Sequence, residues 1–179
     1  LELEVSVNIS SYHLQYPSFI ANLENTLAQY PSINSKFVQL EILESSALGD
    51  LNAISQTINT CINTLGVNVA LDDFGTGYSS LTHLRNLNAN TIKIDQSFTR
   101  DMLDDPNDLT IIDSVIGLAH SFNRKVIAEG VETTEHGLML LIMGCHNAQG
   151  YGISRPMPSA DVQSWLSEYI PNQSWHKLC

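Results

Sequence analysis

Basic residues are scarce: eight Lys and Arg stand against 19 Asp and Glu, for a net charge of −11. Phosphate attraction needs Lys and Arg, so this balance disfavours non-specific binding to DNA, RNA or anionic lipid. It also implies that an anionic ligand would need a bound cation. Long apolar runs are missing as well. Residues 52–71 carry no charge, but Asn, Ser, Thr and Gln punctuate them, so no segment reads as a membrane span. The three cysteines, Cys61, Cys145 and Cys179, are far apart and unpatterned. That argues against a disulfide framework or a zinc knuckle and fits a reducing cytoplasm. The chain begins Leu1-Glu2-Leu3-Glu4, with neither an initiator Met nor the basic start of a signal peptide, so a segment of a longer protein is expected.

Hydrophobic residues at 43% and charged ones at 15% of 179 residues suit one buried core. Short β-branched runs alternate with helical stripes. Val5 to Asn8 reads as a strand, and Phe19, Ile20, Leu23 and Leu27 follow on one helical face. Phe37 to Ile42 is a second strand. Leu51, Ile54, Ile58, Ile62 and Leu65 form the next stripe, with Gly66 as its cap. Val67 to Leu71 is a third strand, ending in Asp72-Asp73 and a Gly-rich turn, and a short helix covers Ser79 to Leu87. Thr91 to Ile94 is a fourth strand, and Pro106 opens a long helix through Leu109, Ile112, Val115, Ile116 and Ala119. Lys125 to Ala128 is a fifth strand, with a helix from Thr134 to Met143. A sixth strand is expected near Asn147 to Tyr151, and a helix from about Ser159 to Tyr169 closes the pattern.

Strands each followed by a helix imply a parallel sheet with helices outside it. An open doubly wound sheet and part of a (β/α)8 barrel both satisfy that pattern; a whole barrel takes about 250 residues and eight units.

In such folds ligands gather at the carboxyl ends of strands. Here those ends carry Asn8, Glu41, Asp72 with Asp73, Lys93, Glu129 and Gln149. A buried parallel strand should be nearly all apolar. Four carboxylates converging with one Lys need positive charge, and hard divalent cations such as Mg²⁺ or Mn²⁺ supply it through oxygen ligands. Two ions about 4 Å apart would form a clamp for in-line attack of water on a phosphodiester. Alone, each residue has a plain alternative: Asn8 a strand-end cap, Asp72-Asp73 turn chemistry, Glu129 a loop start, Gln149 a satisfied amide. The six His are scattered without an i, i+4 pair, and Gly75-Thr76-Gly77 lacks the Gly-Lys-Ser/Thr of a phosphate loop. Cys145 reads as a small core residue.

Val7-Asn8-Ile9-Ser10, Leu40-Glu41-Ile42-Leu43-Glu44, Leu71-Asp72-Asp73-Phe74-Gly75-Thr76-Gly77-Tyr78-Ser79-Ser80-Leu81, Lys93-Ile94-Asp95, Ala128-Glu129-Gly130-Val131-Glu132 and Gln149-Gly150-Tyr151 occur in that order. Together they resemble the EAL domain family, whose enzymes hydrolyse the second messenger cyclic di-GMP to linear pGpG. The resemblance covers about the last two thirds of the family domain, so residues 1–179 are expected to form a partial EAL domain. It implies a (β/α)8 TIM-type barrel with its first two strands missing. It implies Asn8, Glu41 and Asp72 as metal ligands, Asp72 bridging, and Asp73 serving the second ion. Lys93 would hold the attacking water, Glu129 would be a second-ion ligand or base, and Gln149 would bond near the water. Glu44 would anchor the Asp73–Ser80 loop, which in the family links the active site to a dimer interface, so a homodimer is expected. An upstream sensory or GGDEF-type domain is compatible with this organisation. The name-giving Glu-Ala-Leu, whose Glu is another ligand, is absent, leaving the two-metal site incomplete. Little turnover is therefore expected of this fragment alone. A degenerate module that binds cyclic di-GMP or a protein partner is the alternative. A lyase using Lys93 as a Schiff base is disfavoured, because neighbouring carboxylates keep the amine protonated.

Overall fold

The computed structural model describes residues 3–44, 50–76 and 81–175, which fold as two compact units. The first comprises Leu1–Lys93 and Ala119–Lys125; the second comprises Ile94–Leu118 and Val126–Cys179.

In the first unit the strands β1 (Val5–Ile9), β2 (Val38–Leu43), β3 (Asn68–Phe74) and β4 (Thr91–Ile94, of which all but the last residue belong here) lie in chain order. Pairs β1–β2 and β2–β3 are parallel. In β3, Val69, Ala70 and Leu71 are buried in succession, the continuous run expected of a strand covered on both faces. β1 is different. It is an edge strand, and Val5 and Val7 are exposed.

Helices α1 (Ser11–Leu14), α2 (Phe19–Gln29), α3 (Leu51–Asn63) and α4 (Leu81–Asn86) connect the strands. Asp50 starts α3, its carboxylate accepting from the Asn52 and Ala53 N–H groups that the first turn leaves unpaired. The α3 stripe buries Ile54, Ile58 and Cys61 against Leu40, Ile42, Val69 and Leu71. Each buried Ile contributes about 1.5–3 kcal/mol. Burial also pushes the Cys61 thiol up to about 11. Gly66, at φ +68°, turns the chain after α3, and the Val67 N–H donates back to the Cys61 carbonyl.

A polar network ties the amino-terminal parts of these strands. Glu4 accepts from Gln39 at 3.4 Å and Asn68 at 3.1 Å and lies 3.7 Å from the Lys125 ammonium. Gln39 is fully buried; its amide also donates to Thr91 and accepts from Ser6.

In the second unit, α5 (Gln96–Asp101) begins directly after β4, with Asp95 as its cap. α6 (Pro106–Ser121, here up to Leu118) and α7 (Thr134–Ile142) follow. The short helix α5 has no counterpart in the sequence reading. β5 (Lys125–Ala128) carries the chain towards Glu129, and α8 (Val162–Glu168) follows near the end.

The sixth strand expected near Asn147 to Tyr151 is corrected: among the described residues only a single parallel bridge, Ala128–Ala148, forms there. The ladder is interrupted by glycine geometry. Gly130 sits at φ +72°, and pairing resumes three residues beyond Ala128, where Val131 donates to Gln149 and Gly152 donates to Val131. β3 also runs further than read from sequence, through Asp72-Asp73 to Phe74. Leu81–Asn86 is the described part of the expected short helix, and residues 77–80 of the Asp73–Ser80 loop lie outside the described residues.

Candidate active site

Strand register assembles a charged cluster in the first unit. Asn8 pairs with Glu41 across β1–β2, and Leu43 with Asp72 across β2–β3. Residues two apart share a face, so Glu41 and Leu43 project with Ala70 and Asp72. Glu41 and Asp72 are thereby brought to the same ammonium. Lys93 Nζ donates to Glu41 Oε2 at 2.9 Å and lies 2.9 Å from Asp72 Oδ1. All three residues are buried, Lys93 to 3% exposure. The Asp72 contact is an ion pair without an aligned hydrogen bond to its buried Oδ1.

Asp73 departs from strand geometry. Pleating sends successive side chains to opposite faces, yet carboxylate oxygens of Asp72 and Asp73 lie within 4.8 Å of each other. The left-handed backbone at Asp73, φ +54°, breaks the alternation. Asp tolerates that region better than most residues, at an energetic cost that structures tend to carry at functional sites. Two residues on, Gly75 at φ +104° turns the chain, and its N–H faces Glu44 Oε2 at 3.4 Å. Glu44 is itself buried.

The second unit holds a separate polar pair. Glu129 N–H donates to the Ile94 carbonyl at 3.1 Å, which fixes the residue at the end of β5. The Gln149 amide donates to Glu129 Oε1 at 2.5 Å. Gly130 has to be a glycine: a Cβ there would stand 2.7 Å from the Gln96 Cβ. A cavity of about 550 Å³ opens on this pair and is also lined by Gln96, Glu132, Tyr151 and Arg155. Sequence reasoning passed over Gln96 and Arg155. The signal available for them was spacing: Gln96 stands two residues beyond the last strand residue, Ile94, and Arg155 four residues beyond Tyr151.

Thus Glu41, Asp72, Asp73, Lys93 and Glu44 gather in the first unit, with Asn8 in register beside Glu41; Glu129 and Gln149 meet in the second. The expected core role of Cys145 fits its burial, which pushes its thiol pKa up. No helix among the described residues is long and apolar enough to cross a membrane.

The chain matches the EAL domain over residues 1–156. It is 37% identical over 166 residues to the cyclic di-GMP phosphodiesterase PA2567 of Pseudomonas aeruginosa, a match covering 93% of this chain and 28% of that protein. Among solved structures it superimposes on the EAL domain of Mycobacterium smegmatis DcpA with a TM-score of 0.87 and 37% identity, over 94% of this chain and 75% of that one. Klebsiella pneumoniae BlrP1, solved as a manganese and cyclic di-GMP complex, aligns with a TM-score of 0.78 and 27% identity over 87% of this chain and 39% of its own. The chain spans about a quarter of the length of the curated relatives it matches. The α/β architecture of these strands and helices is therefore part of the TIM-like EAL fold, and the chain belongs to the EAL domain family.

Proposed function

We propose that the protein is a divalent-metal-dependent phosphodiesterase that hydrolyses cyclic di-GMP to linear pGpG. The observation that carries this reading is the buried Glu41–Lys93–Asp72 cluster with the Asp73 carboxylate beside it. Two relatives named for cyclic di-GMP phosphodiesterase activity support the substrate, and the manganese complex of a structural neighbour supports the metal.

The donor set fits a hard cation. Glu41, Asp72 and Asp73 offer carboxylate oxygens and Asn8 an amide oxygen, the ligands that Mg²⁺ and Mn²⁺ prefer over nitrogen or sulfur. The buried Asp72 Oδ1, lacking an aligned hydrogen-bond donor, is suited to metal ligation. These four residues would hold the metal, with Glu129 added on its motif. Divalent cations bound there would act as Lewis acids and lower the pKa of bound water.

The protein groups carry the rest. The Lys93 ammonium, fixed between two carboxylates, offsets phosphate charge and donates to the attacking water. In its alternative role as base rather than ligand, Glu129 would accept the proton that the water loses as its oxygen bonds to phosphorus and the opposite P–O ester bond breaks, with Gln149, whose amide already donates to Glu129, orienting its carboxylate. Glu44 holds the Gly75 turn and with it the backbone that presents Asp73. The family's homodimer, linked through the Asp73–Ser80 loop, belongs to this proposal.

The test uses the full-length protein, cyclic di-GMP and Mg²⁺ or Mn²⁺, following pGpG by chromatography. Excess EDTA is expected to abolish turnover, and Asp72→Asn to lower kcat by at least about 100-fold, the scale of losing one preorganised electrostatic group. Undiminished hydrolysis in EDTA, or by Asp72→Asn, would sink the proposal; binding without turnover would instead favour a regulatory module.

A further inference from the structure

The mechanism above uses no residue beyond Gln149, yet the end of the described chain folds back onto α7. The Asn172 carbonyl accepts from the Trp175 N–H at 3.0 Å, and its side-chain oxygen accepts from the Ser174 N–H at 3.0 Å. That tight turn presents two donors to the first residue of the helix. The Trp175 indole N–H donates to the Thr134 carbonyl at 3.1 Å, and the Asn172 amide donates to the Thr134 hydroxyl at 2.8 Å. The indole lies so close to Gly137 that a Cβ there would stand 2.5 Å from its Nε1 and 2.6 Å from its Cε2. Glycine weakens a helix interior, and here it stands where the ring needs the room.

The same turn of α7 reaches the active-site segment. Thr133 caps the helix, its hydroxyl accepting from the His136 N–H at 3.2 Å. The buried His136 ring, next to Gly137, in turn accepts from the Glu132 N–H at 3.4 Å through Nδ1. Glu132 adjoins Val131, whose N–H donates to the Gln149 carbonyl at 3.0 Å. Trp175 is thus joined through Thr134 and His136 to the short stretch from Glu129 to Glu132. Packing makes the same connection. Val131, two residues after Glu129, and Ala148, the residue before Gln149, line an apolar cavity of about 330 Å³ with Leu140, Tyr169, Pro171 and Trp175.

We propose that Trp175 is a positioning residue: by pinning the first turn of α7 it holds the Glu129–Glu132 segment, and so the Glu129 carboxylate, where the reaction needs it. This rests on the function proposed above. A carboxylate at the end of a strand is held no better than the elements packed behind it. Gly130, at φ +72°, adds a residue with little intrinsic stiffness directly after Glu129. Releasing the indole removes one wall of the cavity behind Val131 and Ala148 and leaves that segment room to shift. A displacement of about 1 Å at a reacting group can cost about 100-fold in rate, even when the substitution is remote.

The experiment compares Trp175→Ala, Trp175→Phe and Gly137→Ala in the full-length protein, with folding checked by circular dichroism. Trp175→Ala should lower kcat at least about tenfold while KM stays within about twofold of wild type. Trp175→Phe keeps a ring against Gly137 and loses the N–H donor, so its kcat should fall between the two. Gly137→Ala favours the helix but displaces the ring, and should lower kcat as Trp175→Ala does. In a Glu129→Gln background Trp175→Ala should cause no further loss, because the group it positions is already gone. A contact that served overall stability alone would leave kcat unchanged in the folded variants. Hydrogen exchange reads the strap without substrate: the Glu132 amide should exchange at least about tenfold faster in Trp175→Ala than in wild type. Unchanged kcat or unchanged Glu132 exchange in Trp175→Ala, or a full further loss in the Glu129→Gln background, overturns the inference while leaving the proposed function intact. Faster exchange in a protein that does not hydrolyse cyclic di-GMP removes the proposed function and leaves the strap standing.

Discussion

Replacing Lys93 with Met tests whether its ammonium is what makes the burial of two carboxylates tolerable. The substitution keeps a long unbranched side chain and removes the charge. Oxygens of Glu41 and Asp72 each lie 2.9 Å from Nζ, so they can be no more than 5.8 Å (twice 2.9 Å) apart. Two unit charges at that spacing repel by at least about 3 kcal/mol at an effective dielectric constant of 20. Breaking a buried pair by removing one partner costs about 3–5 kcal/mol in other proteins, the same scale. Urea unfolding at pH 7 in EDTA should therefore show Lys93→Met less stable by about 3–5 kcal/mol. The double variant Lys93→Met/Glu41→Gln removes one of the two like charges and should recover most of the loss. The cycle thus separates charge repulsion from packing. A loss under about 1 kcal/mol, or a double variant no better than the single one, would refute the reasoning.

Two further outcomes follow from backbone geometry. Asp73→Gly removes the left-handed strain and should stabilise the protein by about 0.5–1 kcal/mol in thermal melts while reducing cyclic di-GMP turnover, because the second carboxylate is lost; destabilisation would show that φ +54° at this residue carries no strain. Gly150→Ala should destabilise by about 2 kcal/mol or more, since its methyl meets the Val131 backbone rather than a movable side chain; a neutral effect in denaturant unfolding would contradict the close approach.

Much of this was legible in the sequence because the elements obey simple periods. The stripe from Leu51 to Ile62 and the runs Val69–Leu71 and Thr91–Ile94 are where they were expected, since each is buried as its pattern demands. Lys93 in an apolar strand was equally readable, because a buried ammonium needs partners. The expected strand at Asn147–Tyr151 was not formed, since Gly130 and Gly150 adopt backbone angles that interrupt pairing, and their composition alone did not reveal that. Helix α5 was too short for a hydrophobic stripe, and its only sequence mark is the Asp95 cap. The proximity of the Asp72 and Asp73 carboxylates defied the rule of alternation for the same kind of reason: one residue's φ decides it. Arg155 escaped notice because its neighbour is set by a single non-repeating turn.

The Glu4 network has a consequence for how this chain can change. At the amino-terminal parts of the strands, one carboxylate is shared among Gln39, Asn68 and Lys125, and its demands are met by those donors. Further along β2 and β3, Glu41 and Asp72 compete for one ammonium. Substitutions near Glu4 can therefore raise or lower the melting temperature without altering chemistry, whereas a substitution that quiets the competition at Glu41 or Asp72 trades reactivity for robustness. Thermal adaptation and catalytic refinement in this chain would draw on different residues of the same strands.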